Sequence, residues 1–184
     1  GNWAGMLQAS DGGHLFGNPE AEKKLIEFMS YTCSHCAEFA RKGDAAIKLS
    51  YVPTGKISYE VRHLIRDPVD LTAALLTHCG DEKKFGGNHE AIMYRFDEWM
   101  DKARNATQAQ RSRWQFGTNS ARFQAIASDL DFFERHPGIL SAFRPTNHLR
   151  GGLLHGDYRF VRVWLNRLYQ RRDLLGSRAG SLSQ

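Results

Sequence analysis

Cysteine is scarce in this sequence. Three among 184 residues are too few for a disulfide scaffold, and an odd number leaves at least one thiol unpaired within a monomer. A chain of this length buries a core large enough to fold without staples, so metal or disulfide support is optional. Long apolar runs are also missing: none approaches the roughly 18 residues of a membrane span, and no transmembrane segment is expected. No glycine-rich phosphate loop or serine-centred nucleophile elbow occurs, since Gly86-Gly87 and Gly151-Gly152 lack the spacing. Lys and Glu vanish from residues 136–184, which hold eight Arg and two Asp, whereas residues 1–135 hold 17 Lys+Arg against 18 Asp+Glu. A near-neutral body with a basic tail argues against nucleic-acid binding by the body, despite the net charge of +5. The opening GNWAGMLQAS has neither a basic n-region nor an apolar h-region, so any export signal is expected to lie outside this chain.

What is present begins with LIEFMS (25–30), an apolar run of strand length that follows the turn-rich GNPEAEKK (17–24). It feeds directly into YTCSHCAEF (31–39). From Ser34 onward Cys36, Phe39, Ala40, Ala46 and Ile47 recur at helical spacing. After the loop YVPTGK (51–56), residues 56–65 alternate at strand period, with Ile57, Tyr59, Val61, His63 and Ile65 on one side. A strand-helix-strand unit of this length predicts a parallel pair joined by a right-handed crossover. A polar lead-in precedes it.

Beyond residue 66 the pattern is helical. Asp67 before Pro68 is an N-cap with proline in the first helical position, predicting a helix over 68–79 that stops at Gly80. Ile92, Met93, Phe96, Trp99, Met100 and Ala103 stripe one face of a second. Thr107 with Gln110 forms a capping-box signature for a third that ends near Gly117, and a fourth is predicted over roughly 120–135. Residues 158–175 read as a basic amphipathic helix, for which docking on its own domain is the ordinary use, and an anionic membrane, RNA or a partner groove the others.

The Cys33-Ser34-His35-Cys36 stretch admits three readings: a redox couple, half a metal site, or two buried thiols. Cysteine attacks disulfides as its thiolate, and a helix start offers unpaired N–H groups and the positive end of the macrodipole to hold that charge. A protonated His35 would add to it. A stabilised thiolate means a less stable disulfide, which leans the chemistry towards oxidant. Cys36, one turn in, would resolve the mixed disulfide. Glu27 interrupts the apolar run, either as a partly buried carboxylate that accepts a proton or tunes the thiols, or as an edge-strand acid facing solvent. Zinc would need two further ligands, and the adjacent pair His78 and Cys79 is poorly spaced for one tetrahedral ion. Cys79 reads better as a buried small hydrophobe and His63 as a core histidine. His14, His89, His148 and His155 have no partner evident in the sequence.

With GNPEAEKK ahead of it, LIEFMSYTCSHCAEF resembles the active-site region of DsbA-type thiol:disulfide oxidoreductases. Ile26-Glu27-Phe28 stands for the family's leucine-glutamate-phenylalanine, and Cys33-Ser34-His35-Cys36 for its Cys-Pro-His-Cys, with Ser34 in the proline position. The resemblance implies an α/β thioredoxin-like fold with an inserted all-helical subdomain: 1–66 as the strand-helix-strand part, 67–135 as the insertion, and 136–184 as a divergent basic segment. It further implies Cys33 as nucleophile, Cys36 as resolving thiol, His35 as thiolate stabiliser, Ser34 and Glu27 as tuning residues, and no cofactor or metal. Cysteine-containing polypeptides would be the substrates, a separate redox partner would regenerate the pair, and the setting would be the bacterial periplasm. The family's cis-proline loop and closing strands have no counterpart near Pro137 or Pro145. That mismatch leaves an alternative, an inactive relative that binds a protein or membrane through its helical body or basic tail. The composition switch at His136 also matches a shifted reading frame in a GC-rich gene.

Overall fold

The structure, a computed structural model, describes residues 2–10, 12–79 and 81–132. The switch at His136, the helix expected at 158–175, Pro137, Pro145, His148 and His155 lie outside the described residues.

Four strands form a mixed sheet in the order β1-β2-β4-β3. The lead-in is structured: β1 (Leu7–Ser10) and β2 (Gly13–Phe16) make an antiparallel hairpin with Leu7 opposite Phe16, and β2 pairs antiparallel with β4 (Ile57–His63). Gln8, Ser10 and His14 make this stretch look polar, yet Gly13, His14 and Leu15 are all buried between neighbouring strands. Gly13 is needed there, because a Cβ at this position would sit 1.8 Å from the Val61 carbonyl oxygen. Strand β3 (Lys23–Met29) runs parallel to β4, with Lys23 opposite Ile57 and Met29 opposite His63, as the crossover argument requires.

The crossover is one helical run. It opens as α1 (Ser34–Phe39), and widens into π-type turns over Ala40–Asp44 and Ile47–Tyr51. It closes with a 3-10 turn over Val52–Thr54. Among the described residues β3 is an edge strand, and Leu25, Ile26 and Phe28 on it are exposed despite their apolar character.

Helix α2 (Pro68–Thr77) starts where the sequence places it, with Asp67 accepting from the Val69 and Asp70 N–H groups at 2.9 Å each. It ends at His78, two residues before Gly80. The long apolar stripe is two helices, α3 (Phe85–Tyr94) and α4 (Phe96–Arg104), broken at Arg95 where ψ swings to 15°. The helical phase survives the break, so Ile92, Met93, Phe96, Trp99 and Met100 still share the core. The indole N–H of Trp99 donates to the Ile92 carbonyl across the junction at 2.9 Å. Helix α5 (Gln108–Gln115) carries the full Thr107–Gln110 capping box, and α6 (Asn119–Asp129) is capped by Thr118.

Candidate active site

Strands β3 and β4 end side by side, so the residues that follow them meet. After β3 the chain turns through Ser30–Cys33, closed by the Cys33 N–H donating to the Ser30 carbonyl at 3.2 Å. After β4 come Arg66, Asp67 and Asp70, and they hold that turn from beneath. Asp70, wholly buried, accepts from the Ser30 hydroxyl at 2.5 Å, the Tyr31 N–H at 2.8 Å and the Arg66 N–H at 3.0 Å. Burial pushes its carboxyl above the ordinary range, against those donated bonds. The Arg66 guanidinium donates to the Ser30 and Thr32 hydroxyls, each at 3.0 Å, and Thr32 in turn donates to Asp67 at 2.8 Å.

This support delivers Cys33 to the N-cap of α1 in extended backbone, φ −101° and ψ 116°, with its carbonyl already accepting from the Ala37 N–H at 3.1 Å. Cys33 and Cys36 are both half-buried free thiols. Their surroundings drive them apart. For Cys33, burial opposes ionisation, but the Cys36 thiol, the backbone N–H groups of Cys36 and His35, and the Arg66 charge outweigh it and hold the thiol below its ordinary value. For Cys36, burial pushes the thiol up to about 11, and the charges of Cys33 and Glu27 add to it against the Ser30 N–H. The helix-start field anticipated from sequence is thus supplied by particular N–H groups. His35 and Ser34 lie exposed on the first turn, and the backbone N–H of His35 is among the groups that hold Cys33 down.

Glu27 is half-buried and accepts a hydrogen bond from the Tyr59 hydroxyl. Burial raises its carboxyl above the ordinary range, with Asp44 adding to this and the Tyr59 bond and Lys48 opposing it. Its charge bears in turn on Cys36.

Behind the site is a histidine group, which brings His14 and His89, without an evident partner in the sequence, together with the core histidine His63 and with His78. His14, His63, His78 and His89 converge from four separate stretches onto Phe85 and Tyr31. His63 and His78 place their Nε2 atoms 3.0 Å apart, His14 stacks on Phe85 with ring centroids 3.7 Å apart, and His89 Nδ1 lies 3.0 Å from the Tyr31 hydroxyl. Burial lowers all four: His14 and His89 to about 3, His78 to about 4, and His63 well below the usual range. Cys79 is half-buried and its thiol donates to the Leu75 carbonyl at 3.5 Å. Among the described residues no three His, Cys, Asp or Glu are grouped to hold a metal ion.

Ser30, Tyr59, Arg66 and Asp70 are the site residues the sequence did not single out. A signal for Arg66 and Asp70 was available: two parallel strands of equal length end together, so the residues after the second face the loop after the first.

This architecture has known counterparts. A family model described as thioredoxin matches residues 9–134. The crystal structure of a protein-disulfide isomerase from Novosphingobium aromaticivorans is 44% identical with a TM-score of 0.64, over 68% of this chain and 64% of that one. A candidate protein-disulfide oxidoreductase of Rickettsia conorii is 34% identical over 94 residues, 50% of this chain and 34% of its own length. A counterpart in Rickettsia typhi is 37% identical over 86 residues, 46% of this chain and 32% of its own. The chain thus spans about a third of the length of the curated relatives it matches. With the strand-CSHC-helix unit in place and well over half of its residues matched, the chain belongs to the thioredoxin family, as the DsbA-type resemblance of its cysteine region implies.

Proposed function

We propose that the protein is a thiol:disulfide oxidoreductase that exchanges disulfides with cysteine-containing polypeptides, with Cys33 as the reacting sulfur and Cys36 as its resolving partner. The observation that carries this reading is the placement of two free thiols one helical turn apart at the start of α1, Cys33 at its N-cap, in surroundings that hold Cys33 down and push Cys36 up to about 11. The helical insertion proposed over 67–135 contributes Asp67 and Asp70, which brace the reacting loop.

In the oxidising direction a substrate thiolate attacks the Cys33 sulfur of the Cys33–Cys36 disulfide. That S–S bond breaks, Cys36 leaves and takes up a proton, and a new S–S bond joins substrate to Cys33. A second substrate thiolate then attacks the substrate's own sulfur and expels Cys33, whose stabilised anion is the better leaving group. The substrate loses two electrons and gains a disulfide; the Cys33–Cys36 pair is left as two thiols. A separate oxidant must take those two electrons to restore the pair, and an oxidising compartment such as the periplasm suits the cycle. Glu27, whose carboxyl is raised and whose charge bears on Cys36, is the group we assign to tune that thiol.

The test is the pH dependence of alkylation at each cysteine of the reduced protein, resolved by mass spectrometry, together with oxidative refolding of a reduced substrate. A Cys33 midpoint below that of a free thiol, with Cys36 far higher, is expected. Three cysteines titrating together near the free-thiol value of about 8.5 would overturn the reading.

A further inference from the structure

We propose that Arg66 is a positioning residue of the reacting thiol: its guanidinium, fixed by the Ser30 and Thr32 hydroxyls, is the permanent positive charge that poises Cys33 as a thiolate. The inference rests on Cys33 being the reacting sulfur.

Three observations carry it. The guanidinium spans the loop ahead of Cys33, donating from Nε to Ser30 and from Nη2 to Thr32 at 3.0 Å each, while the Arg66 backbone N–H is tied to Asp70 at 3.0 Å. Backbone and fork are therefore both located. The partners of the guanidinium are neutral hydroxyls, which in turn donate to Asp70 and Asp67 at 2.5 and 2.8 Å, while Arg66 meets Asp70 directly only through its backbone N–H. The guanidinium is consequently oriented by hydroxyls rather than by a direct carboxylate ion pair among the described residues. Finally, one anchor of the guanidinium, Thr32, directly precedes Cys33, and the Arg66 charge adds, after the thiol and backbone donors, to what favours the Cys33 anion. A guanidinium stays charged across the accessible pH range, whereas an imidazole loses its charge as pH climbs past about 6.5. Arg66 thus gives Cys33 a cationic neighbour that does not switch off where disulfide exchange must run.

The arrangement separates two contributions. Arg66→Gln removes charge and fork together; Arg66→Lys keeps a charge but loses the two-point attachment, since an ammonium is a point donor. Thr32→Val keeps the charge and removes one attachment.

The experiment measures the alkylation midpoint of Cys33 and the equilibrium with glutathione in the wild type and these three variants, with circular dichroism on each. Arg66→Gln is expected to raise the Cys33 midpoint and to stabilise the disulfide by about three- to tenfold, the upper figure corresponding to about 30 mV. Arg66→Lys and Thr32→Val should fall between it and the wild type. In the wild type, raising the salt concentration should lift the Cys33 midpoint, and this dependence should shrink in Arg66→Gln. The salt series on the wild type decides the matter even where a variant fails to fold: a Cys33 midpoint indifferent to salt overturns the proposal. So does a folded Arg66→Gln with the wild-type midpoint, or Arg66→Lys shifted as far as Arg66→Gln. A low wild-type midpoint with unchanged variants sinks Arg66 alone; a wild-type Cys33 that titrates with Cys79 sinks the thiol chemistry itself.

Discussion

Tyr31 divides two regions that treat charge in opposite ways. On its backbone side, the side chains of Arg66, Asp67 and Asp70 are each held by hydrogen bonds running through Ser30 and Thr32. On its ring side, His14, His63, His78 and His89 are packed among aromatic rings where burial suppresses charge. The first region surrounds the sulfur proposed to react; the second packs behind the loop that carries it. Tyr31 joins them, its N–H on Asp70 and its hydroxyl on His89. The lesson is that a titratable side chain takes its role from its surroundings: the same burial that keeps histidines neutral behind the loop would abolish the thiolate in front of it.

The largest expected effect breaks the rear region with acid. A histidine whose folded pKa is depressed leaves the folded state short of protons relative to the unfolded chain, so its stability contribution is lost as pH falls below the unfolded value of about 6.5. For His14, His78 and His89 the loss continues down to about 3 to 4. The raised carboxyls of Glu27, Asp44 and Asp70 act in the opposite sense and favour the folded state at low pH, blunting the lower end of the window. Each histidine costs about 1 kcal/mol per pH unit, so four cost on the order of 5 kcal/mol between pH 6.5 and 5, a large part of a domain's stability. Urea unfolding at pH 7.5 and pH 5 should show that loss, and His14→Phe, which keeps a ring stacked on Phe85, should reduce the slope. A flat profile would show that the rear region does not discriminate against charge.

Next in size is Asp70→Ala, which breaks the front. It leaves the buried Tyr31 N–H and the Ser30 hydroxyl without their acceptor, together with the Arg66 N–H, and should cost about 3 kcal/mol or more. Because the same bonds seat Cys33, its alkylation midpoint should rise in the variant as well. Destabilisation without a shift at Cys33 would mean that the clamp holds the fold but not the thiol.

Glu27→Gln sharpens the contrast within the site. Glutamine can still accept from Tyr59 but lacks the negative charge that helps hold Cys36 up, after burial itself. Cys36 thiolate at a given pH should increase about three- to tenfold, with Cys33 moving less, by the same alkylation measurement. An unmoved Cys36 would assign its raised value to burial and Cys33, without Glu27.

The front region was partly legible in the sequence and the rear one was not, for a physical reason. Caps and helix starts are local: Asp67-Pro68, Thr107 with Gln110, and Ser34 after the cysteine each sit where neighbouring residues say they should. Strand β4 announced itself by alternation, and the CSHC spacing lies within one turn. The β1–β2 hairpin was missed although Asp11-Gly12 between Ser10 and Gly13 is a hairpin signal, because a buried histidine and two glycines disguise an inner strand. The stripe on α3 and α4 concealed its break because Arg95 turns the chain without resetting the apolar phase. The histidine group depends on residues from β2, β4, the end of α2 and α3 meeting in space, and Arg66 on the register of two parallel strands. No window of sequence contains either.

The smallest expected effect concerns Cys79, a thiol that borders the charge-suppressing region and serves as a control for the other two. It follows His78 at the end of α2, and its thiol donates to the Leu75 carbonyl one turn back at 3.5 Å. A weak sulfur hydrogen bond and a small side chain are what Cys79→Ala removes, so stability should fall by about 1 kcal/mol or less. The Cys33 and Cys36 midpoints and the glutathione equilibrium should be unchanged. If that substitution altered the redox equilibrium, the third thiol would take part in the exchange, and reactivity would extend into the region where burial is argued to suppress charge. With the equilibrium intact, what separates a reactive cysteine from an inert one in this chain is the surroundings of the sulfur: donors and a fixed cation at Cys33, a backbone carbonyl at Cys79.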